Sequence, residues 1–317
     1  MSEFREITIG GLLRETAAKI PAHEALVCPE FDVRMNYQEF LGHCVKVAKG
    51  FMALGINKGD HVSVWTTNLP EWVYMQFGLS MIGAVLVTVN TNYKSHELEY
   101  ILKQSDSTTL VHMHEHRDTN FYNTVCEVIP ELKNSRPGDL KTTKLPSLKN
   151  VVYIGKSKDT PGMFAFADVV ALGDKISDGD LAAREKSLSV HDPINMQYTS
   201  GTTGFPKGVM LTHYNIVNNA RMVGDVMGMT DKDKLLIQVP LFHCFGCVMS
   251  TLNSVYHGST MIVLEAFDPL KALQAIDKEK CTAINGVPTM FIAMLNHPDF
   301  SKYDTKSLRS GIMAGAP

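Results

Sequence analysis

Hydrophobic positions in the first third of the chain alternate between helical stripes and short apolar runs. A helical stripe covers residues 40–54 and stops at Gly55, while Asn36 and Glu39 have capping-box spacing just before it. The elements predicted after it are, in turn, strand, helix, strand, helix and strand, at residues 61–65, 70–81, 84–89, 95–104 and 108–112. Alternation of this kind predicts an α/β fold with predominantly parallel sheets covered by helices.

The same alternation resumes in the second half, after two polar stretches. Residues 131–147 are predicted to be a surface insertion or long loop, and residues 173–190 form a second polar stretch. Predicted strands follow at 194–199, 209–211, 235–239, 259–264 and 283–285. The second of these is predicted to pair with the first as a hairpin. Helices are predicted from about 214 and 268, the latter with Leu270, Leu273 and Ile276 facing inward.

Single residues mark the ends of two of these helices. Asn68 and Pro70 are predicted to open the helix at 70–81, and Ser95 is predicted to cap the helix at 95–104. These residue types are typical of helix amino termini because they replace or satisfy backbone N–H groups that lack helical partners.

Composition narrows the class of protein. Of the 317 residues, 44% are hydrophobic and 20% are charged, and the formal net charge is −3. A near-neutral balance argues against nucleic acid as the main partner, because phosphate backbones select basic surfaces. No apolar run reaches the roughly 18–20 residues of a membrane span, and the first residues resemble neither a signal nor a transit peptide. We therefore expect a cytoplasmic protein with no membrane span.

The cysteines and clustered histidines offer weak metal or redox signals. The six cysteines lie in or beside apolar segments and are predicted to be buried thiols. Residues 244–247 form a single Cys-x-x-Cys motif after His243, for which core packing is the favoured interpretation. Three alternating histidines would share one strand face, and a solvated strand end is the favoured interpretation for His112, His114 and His116.

The most informative segment is 199–208, which reads Thr-Ser-Gly-Thr-Thr-Gly-Phe-Pro-Lys-Gly. Its glycines allow tight turns and close approach to a ligand, its hydroxyls can bond phosphate oxygens or a metal, and its lysine is cationic. The segment suits a polyphosphate. It is not a Walker A motif, because Pro206 precedes Lys207 and Gly208 follows it. A polar linker would rarely continue into the apolar residues 209–211.

The run from Tyr198 to His213 resembles the phosphate loop of the acyl-adenylate-forming enzymes, which include acyl-CoA synthetases, luciferases and peptide-synthetase adenylation domains. This resemblance implies two interleaved α/β subdomains and activation of a carboxylic acid with ATP, Mg²⁺ and coenzyme A. The nucleotide-binding residues it implies are Thr199, Ser200, Gly201, Thr202, Thr203, Gly204, Phe205, Pro206, Lys207, Gly315, Ala316 and Pro317. Thr203 is the residue expected to reach the metal.

The resemblance also assigns an acyl pocket. His243 would be its gate, and its wall would be formed by Gly286, Val287 and Pro288. Amino-acid-activating relatives carry an aspartate near the gate, whereas residues 240–250 contain no acid. A medium-chain fatty acid or related acid is therefore expected, with an aryl acid of the benzoate or coumarate type as the alternative.

The resemblance further implies that 1–317 is a truncated large amino-terminal domain. The magnesium-linked glutamate, the adenylation lysine and the small carboxyl-terminal domain would lie beyond Pro317. We expect the chain alone to be inactive and to form a homodimer or otherwise self-associate. A non-catalytic nucleotide-binding or dimerisation fragment is the alternative from a different class of protein.

Overall fold

A computed structural model describes residues 4–156, 160–199 and 206–315 of the chain. Within these residues the strands, in chain order, are β1 (Glu24–Cys28), β2 (Val33–Asn36), β3 (His61–Trp65), β4 (Val85–Thr88), β5 (Thr109–Met113), β6 (Glu115–His116), β7 (Thr119–Asn120), β8 (Asn150–Ile154), β9 (Phe164–Ala165), β10 (Pro193–Thr199), β11 (Lys207–Thr212), β12 (Lys234–Ile237), β13 (Thr260–Val263), β14 (Ala283–Gly286) and β15 (Ser310–Met313).

The α-helices are α1 (Ile9–Lys19), α2 (Tyr37–Ala53), α3 (Pro70–Ile82), α4 (Ser95–Gln104), α5 (Phe121–Val128), α6 (Phe166–Leu172), α7 (Asp178–Lys186), α8 (His213–Met227), α9 (Cys244–Gly246), α10 (Asn253–His257), α11 (Pro269–Glu279) and α12 (Pro288–Leu295). A π-helical turn over Cys247–Leu252 joins α9 to α10. Short 3₁₀ helices cover Pro29–Phe31, Pro130–Asn134, Gly173–Lys175 and Phe300–Lys302.

The chain divides into two compact units that interleave along the sequence. The first unit comprises Met1–His43, Asn68–Tyr74 and Tyr214–Pro317, and the second comprises Cys44–Thr67 and Met75–His213. Each unit has its own sheet, so the predicted α/β class with interleaved subdomains is confirmed.

The first unit is built on a six-stranded sheet in the order β15-β14-β12-β13-β1-β2. Every neighbouring pair is parallel except β1 and β2. Strands β13 and β14 are buried along their whole length, as expected for parallel strands covered on both faces. The helix α11 begins with an Asp268 cap and Pro269, and buries Leu273 and Ile276 as predicted, whereas Leu270 is half-buried.

The second unit is built on a seven-stranded sheet in the order β11-β10-β4-β3-β5-β8-β9. Its strands are parallel apart from β10 and β11, which form the predicted antiparallel hairpin. Their register sets Thr199 opposite Lys207. The two strand ends that flank the Ser/Thr/Gly segment, Thr199 and Lys207, are therefore neighbours in the sheet.

The helix caps in the structure can be compared with those predicted from the sequence. The Asn36–Glu39 capping box is confirmed, because Glu39 N donates to Asn36 Oδ1 and Asn36 N donates to Glu39 Oε2, each at 2.9 Å. The predicted cap of α4 was one residue off: Lys94 is the N-cap and the Ser95 hydroxyl donates to Glu127.

The polar stretch 173–190 contains the helix α7, which starts with its own capping box, Ser177 with Asp180. Residues 131–147 remain irregular apart from a 3₁₀ helix at their start.

The predicted solvated histidine face is wrong for His112. This side chain is fully buried on β5, its Nδ1 donates to Met113 O at 2.9 Å, and burial lowers its pKa to about 4. His116 belongs to the separate strand β6, so the histidines do not share one strand. No group of three or more His, Cys, Asp or Glu side chains in the described part of the chain could hold a metal ion.

The cysteine prediction is confirmed in part. All six thiols are free, and Cys28, Cys44, Cys247 and Cys281 are buried, whereas Cys126 and Cys244 are half-buried. Among the described residues, no helix is both long and apolar enough to cross a membrane.

A buried carboxylate organises the amino-terminal edge of the first unit's sheet. Asp233, which is 3% exposed, accepts from Arg309 Nε at 2.9 Å, from Thr282 Oγ1 at 2.6 Å and from Thr230 N at 2.9 Å. Arg309 also donates to Gly228 O. Burial alone would raise the pKa of Asp233, but these donors together outweigh it and the pKa is lowered. The network joins the starts of three parallel strands.

Replacing Asp233 with Asn should therefore destabilise the protein. We expect Asp233→Asn to lower the free energy of unfolding by about 3 kcal/mol near pH 7, because it leaves a network built around an anion without its charge. A carboxyl group with a lowered folded pKa stabilises above its ordinary pKa of 3.8 and loses that effect as the pH falls through the folded value. The stability of the wild type, measured by denaturant unfolding, should approach that of the variant only as the pH falls below 3.8 and through the lowered folded value.

The matched control is Asp299→Asn, which removes a surface pair with Lys302. We expect it to leave the free energy of unfolding close to that of the wild type, because both charges of this pair are exposed to solvent. Equal losses in the two variants would contradict the structural role of the Asp233 network.

Candidate functional site

The second unit contains the two strand ends that flank the Ser/Thr/Gly segment, here called its stem. Thr199 at the end of β10 and Lys207 at the start of β11 are exposed, and they are paired across the hairpin. Gly208 follows, where a Cβ would lie 3.0 Å from Met196 Sδ and 3.3 Å from Gln104 Oε1. Glycine at this position lets β11 lie close to its neighbours.

Helix α4 anchors both sides of this stem. The Tyr100 hydroxyl donates to Pro206 O at 3.1 Å, and the Tyr198 hydroxyl donates to Gln104 Oε1. Burial raises the pKa of Tyr198, so its hydroxyl stays protonated and remains a donor. Tyr100 and Gln104 are four residues apart and share one helix face. The stem is thus held on both strands by one helix.

Several predicted nucleotide-binding residues lie outside the described residues. They are Ser200, Gly201, Thr202, Thr203, Gly204, Phe205, Ala316 and Pro317. The assignments of these residues to phosphate, adenine and metal stay predictions.

The first unit contains an apolar cavity of about 290 Å³. Its lining residues are Val239, Pro240, Phe242, His243, Phe245, Met249, Val287, Met290, Ala314 and Gly315. Among these described residues, His243 has the sole side chain with nitrogen or oxygen, and none is acidic. The cavity therefore favours an apolar ligand with few polar groups.

His243 is held in one orientation because it also caps a helix. It is the N-cap of α9, and its Nδ1 accepts from Phe245 N at 3.1 Å. An accepting Nδ1 carries no proton, so the neutral ring carries its proton on Nε2. Its side chain is accessible, yet partial burial lowers the pKa of His243. At neutral pH the ring is thus an uncharged group at the cavity.

The segment around His243 closes on itself through Gly246. A Cβ on Gly246 would lie 2.3 Å from Pro240 O, which excludes any larger residue without movement of the backbone. The π-helical turn that follows is secured by Ser250 Oγ, which donates to Phe245 O at 2.8 Å. Asn285 Nδ2 donates to Ser250 Oγ at 3.0 Å and thereby joins this turn to β14.

The opposite wall comes from the ends of β14 and β15. Val287 lines the cavity, and Pro288 begins α12, which contributes Met290. Gly286 lies behind the wall, where a Cβ would approach the Phe291 ring to 3.0 Å. Gly315, with φ of 87°, lines the same cavity. The structure thus brings together His243, Val287 and Gly315, but not Gly286 or Pro288 as lining residues.

Sequence reasoning missed several lining residues. Met249 lies six residues after the predicted gate His243, and Met290 lies two residues after the predicted wall residue Pro288, so proximity in sequence was a usable signal for both. Phe242 and Phe245 flank the predicted gate, and the sequence analysis gave them no role. Ala314 gave no signal, since its position depends on the pairing of β15 with β14.

The family model for AMP-binding enzymes matches residues 13–317. The match covers nearly all of the sequence, and the chain belongs to the AMP-binding enzyme family.

Two relatives show how much of such a protein the chain spans. It is 50% identical over 317 residues to YngI of Bacillus subtilis, whose name assigns it provisionally as an acyl-CoA synthetase; the alignment covers 100% of this chain and 58% of YngI. It is 39% identical to the mouse medium-chain acyl-CoA ligase ACSF2, a mitochondrial protein, over 100% of this chain and 52% of that protein. The chain thus spans about half the length of these relatives.

Solved structures agree with the fold. The amino-terminal domain of FACL13 from Mycobacterium tuberculosis, determined with an inhibitor bound, superposes with a TM-score of 0.80 at 26% identity over 99% of this chain and 71% of that one. The anthranilate CoA ligase AuaEII, in complex with anthranoyl-AMP, gives a TM-score of 0.80 at 26% identity over 98% of this chain and 55% of that one.

The helix cap formed by His243 predicts a pH effect on stability. Protonation at Nδ1 would break the bond from Phe245 N, and a histidine with a lowered folded pKa loses stability as the pH falls below its ordinary value of 6.5. Asn can accept the same bond without titrating. We expect the melting temperature of the wild type to fall slightly relative to His243→Asn between pH 7 and pH 5.

His243→Ala separates the cap from the titration. It removes the acceptor altogether and should be less stable than His243→Asn by about 1 kcal/mol at every pH. A wild type and His243→Asn variant with parallel pH profiles would show that the ring is not held by its cap.

Proposed function

We propose that the complete gene product activates a medium-chain fatty acid or related carboxylic acid with ATP and transfers the acyl group to coenzyme A. The chain contributes the acyl cavity and the phosphate-binding segment. Membership of the AMP-binding family and similarity to acyl-CoA synthetases support this reaction class.

The observation that carries the proposal is the apolar cavity beside His243. Among its described lining residues there is no charged side chain, so an alkyl chain can leave water without leaving an ion unpaired. Met249 and Met290 are unbranched and flexible, which suits alkyl chains of several lengths. The neutral imidazole offers one N–H donor at the cavity for an oxygen of the acid.

The reaction would proceed in two displacements. A carboxylate oxygen attacks the α-phosphorus of ATP, an O–P bond forms, and the bond to the departing pyrophosphate breaks. The sulfur of coenzyme A then attacks the acyl carbon, losing its proton, and AMP leaves. Lys207 is suited to hold the polyphosphate by charge, and the apolar cavity excludes water from the acyl-AMP.

Magnesium is expected with the triphosphate, but the described residues do not test its site. Thr203, the assigned contact, lies outside the described residues. Among the described residues, no group of three or more His, Cys, Asp or Glu side chains could hold a metal ion. No step of the proposed reaction is assigned to a metal-binding side chain.

An aromatic acid is the second candidate substrate. The fold similarity to the anthranilate CoA ligase and the two phenylalanines that line the cavity, Phe242 and Phe245, favour it. The higher identity to medium-chain ligases and the two lining methionines favour the aliphatic acid. A panel of octanoate, benzoate and coumarate in acid-dependent pyrophosphate exchange distinguishes them. No exchange with any acid would support a non-catalytic fragment.

The phosphate-binding segment can be tested by two substitutions in the complete gene product. We expect Thr203→Ala to slow acid-dependent pyrophosphate exchange by roughly 10–100-fold, since one hydroxyl that stabilises developing charge is lost. Lys207→Ala should have a smaller effect, because an exposed lysine is readily replaced by neighbouring groups. Melting temperatures should stay close to wild type.

Lys232→Ala, at an exposed turn in the first unit, is the matched control and should leave exchange unchanged. Wild-type exchange rates in both loop variants would return the segment to the linker interpretation.

The absence of an acid at the cavity predicts discrimination against amino acids. An α-ammonium in the cavity would lack a counter-ion among the described lining residues. We expect kcat/KM for octanoate to exceed that for 2-aminooctanoate by roughly a hundredfold, about 3 kcal/mol. Comparable rates for the two acids would show that a counter-ion is supplied from elsewhere in the protein.

A further inference from the structure

The sheet of the first unit loses its backbone hydrogen bonds where β12 and β13 end. The last bond between them runs from Leu264 N to Ile237 O at 3.0 Å. Beyond it, the chain after β12 turns at Pro240, which has no N–H, and becomes one wall of the cavity. The next backbone groups, including Val239 O and Leu264 O, need other partners.

The Asn68 side chain supplies those partners. Its Nδ2 donates to Val239 O at 3.1 Å and to Leu264 O at 3.0 Å, and its Oδ1 accepts from Leu241 N at 2.8 Å. The residue is 3% exposed, and its own N–H donates to Glu265 O at 3.0 Å. Both amide protons and the carbonyl oxygen are used, so the side chain has one orientation and one set of partners.

These bonds fix the segment that enters the cavity wall. Val239 and Pro240 line the cavity themselves, and Leu241 directly precedes the lining residues Phe242 and His243. At the other end, the close approach of Gly246 to Pro240 O fixes the same segment. The wall is thus held at its entrance by one amide side chain and at its exit by a glycine.

We propose that Asn68 is a positioning residue that sets the width of the acyl cavity and hence the choice of acid. It acts through the backbone from Val239 to Leu241 and does not line the cavity among the described residues. This role rests on the proposed function of the same cavity. Substitution of Asn68 would therefore change the affinity for the acid and leave the affinity for ATP unchanged.

Asn218 provides a control with the same hydrogen-bond pattern. It is 4% exposed, its Nδ2 donates to Arg5 O at 3.0 Å and Tyr214 O at 2.9 Å, and its Oδ1 accepts from Arg5 N at 2.8 Å. Neither of its two partner residues, Arg5 and Tyr214, lines the cavity. Asp has nearly the same shape as Asn. At either position it removes both N–H donors of the amide and keeps the acceptor oxygen.

The experiment compares Asn68→Asp with Asn218→Asp in the complete gene product. We expect both to lower the melting temperature. Asn68→Asp alone should raise KM for octanoate tenfold or more and shift the preference among hexanoate, octanoate and decanoate, with KM for ATP within twofold of wild type. Calorimetric binding of octanoate should weaken in parallel.

An unchanged chain-length profile in Asn68→Asp, or an equal shift in Asn218→Asp, would overturn the proposal. If Asn68→Asp does not fold, Asn68→Ser replaces it, since a hydroxyl can make only some of the three side-chain hydrogen bonds of Asn68. This variant should show a smaller shift in chain-length preference. A wild-type chain-length profile in Asn68→Ser would also overturn the proposal. A wild-type protein without acid-dependent exchange or octanoate binding would instead refute the proposed function.

Discussion

Parallel pairing of neighbouring strands is the constraint on which the cavity depends. The strands β12, β14 and β15 lie side by side and run in the same direction, so their carboxyl ends meet at one edge of the first unit's sheet. The residues just past those ends, Val239, Val287 and Ala314, all line the cavity. Three segments far apart in sequence are thereby brought to one place, which is where open α/β sheets usually bind ligands.

Some of this could be predicted from sequence because the signals are local. The capping box at Asn36 and the hairpin at Thr199 depend on residues a few positions apart, and the structure has both. The helix α7 was missed because the stretch is polar, although Ser177 and Asp180 carried a local capping signal. For His112, a polar residue type suggested solvent, whereas its place on a central strand decided that it is buried.

The rest of the candidate site depends on pairing over long distances. Nothing around Asn68 in the sequence points to Val239 or Leu264, which are more than 170 residues away. Similarly, His243 was predicted as a gate, but its role as a helix cap follows from the turn that Gly246 permits. Residue type indicates what a side chain can do, whereas strand order and register decide which partner it meets.

The π-helical turn at Cys247–Leu252 has a consequence for how the cavity could diversify. Such a turn contains one residue more than an α-helix needs, and each helical residue advances by about 100°. Because the wide turn absorbs its extra residue locally, deleting one residue there would restore regular α-helix and shift the side chains within the turn, Met249 among them, while the flanking helices keep their register. Insertion or deletion of a single codon could therefore change which side chains line the cavity without any substitution of a lining residue, a change that comparisons of aligned residue types would overlook.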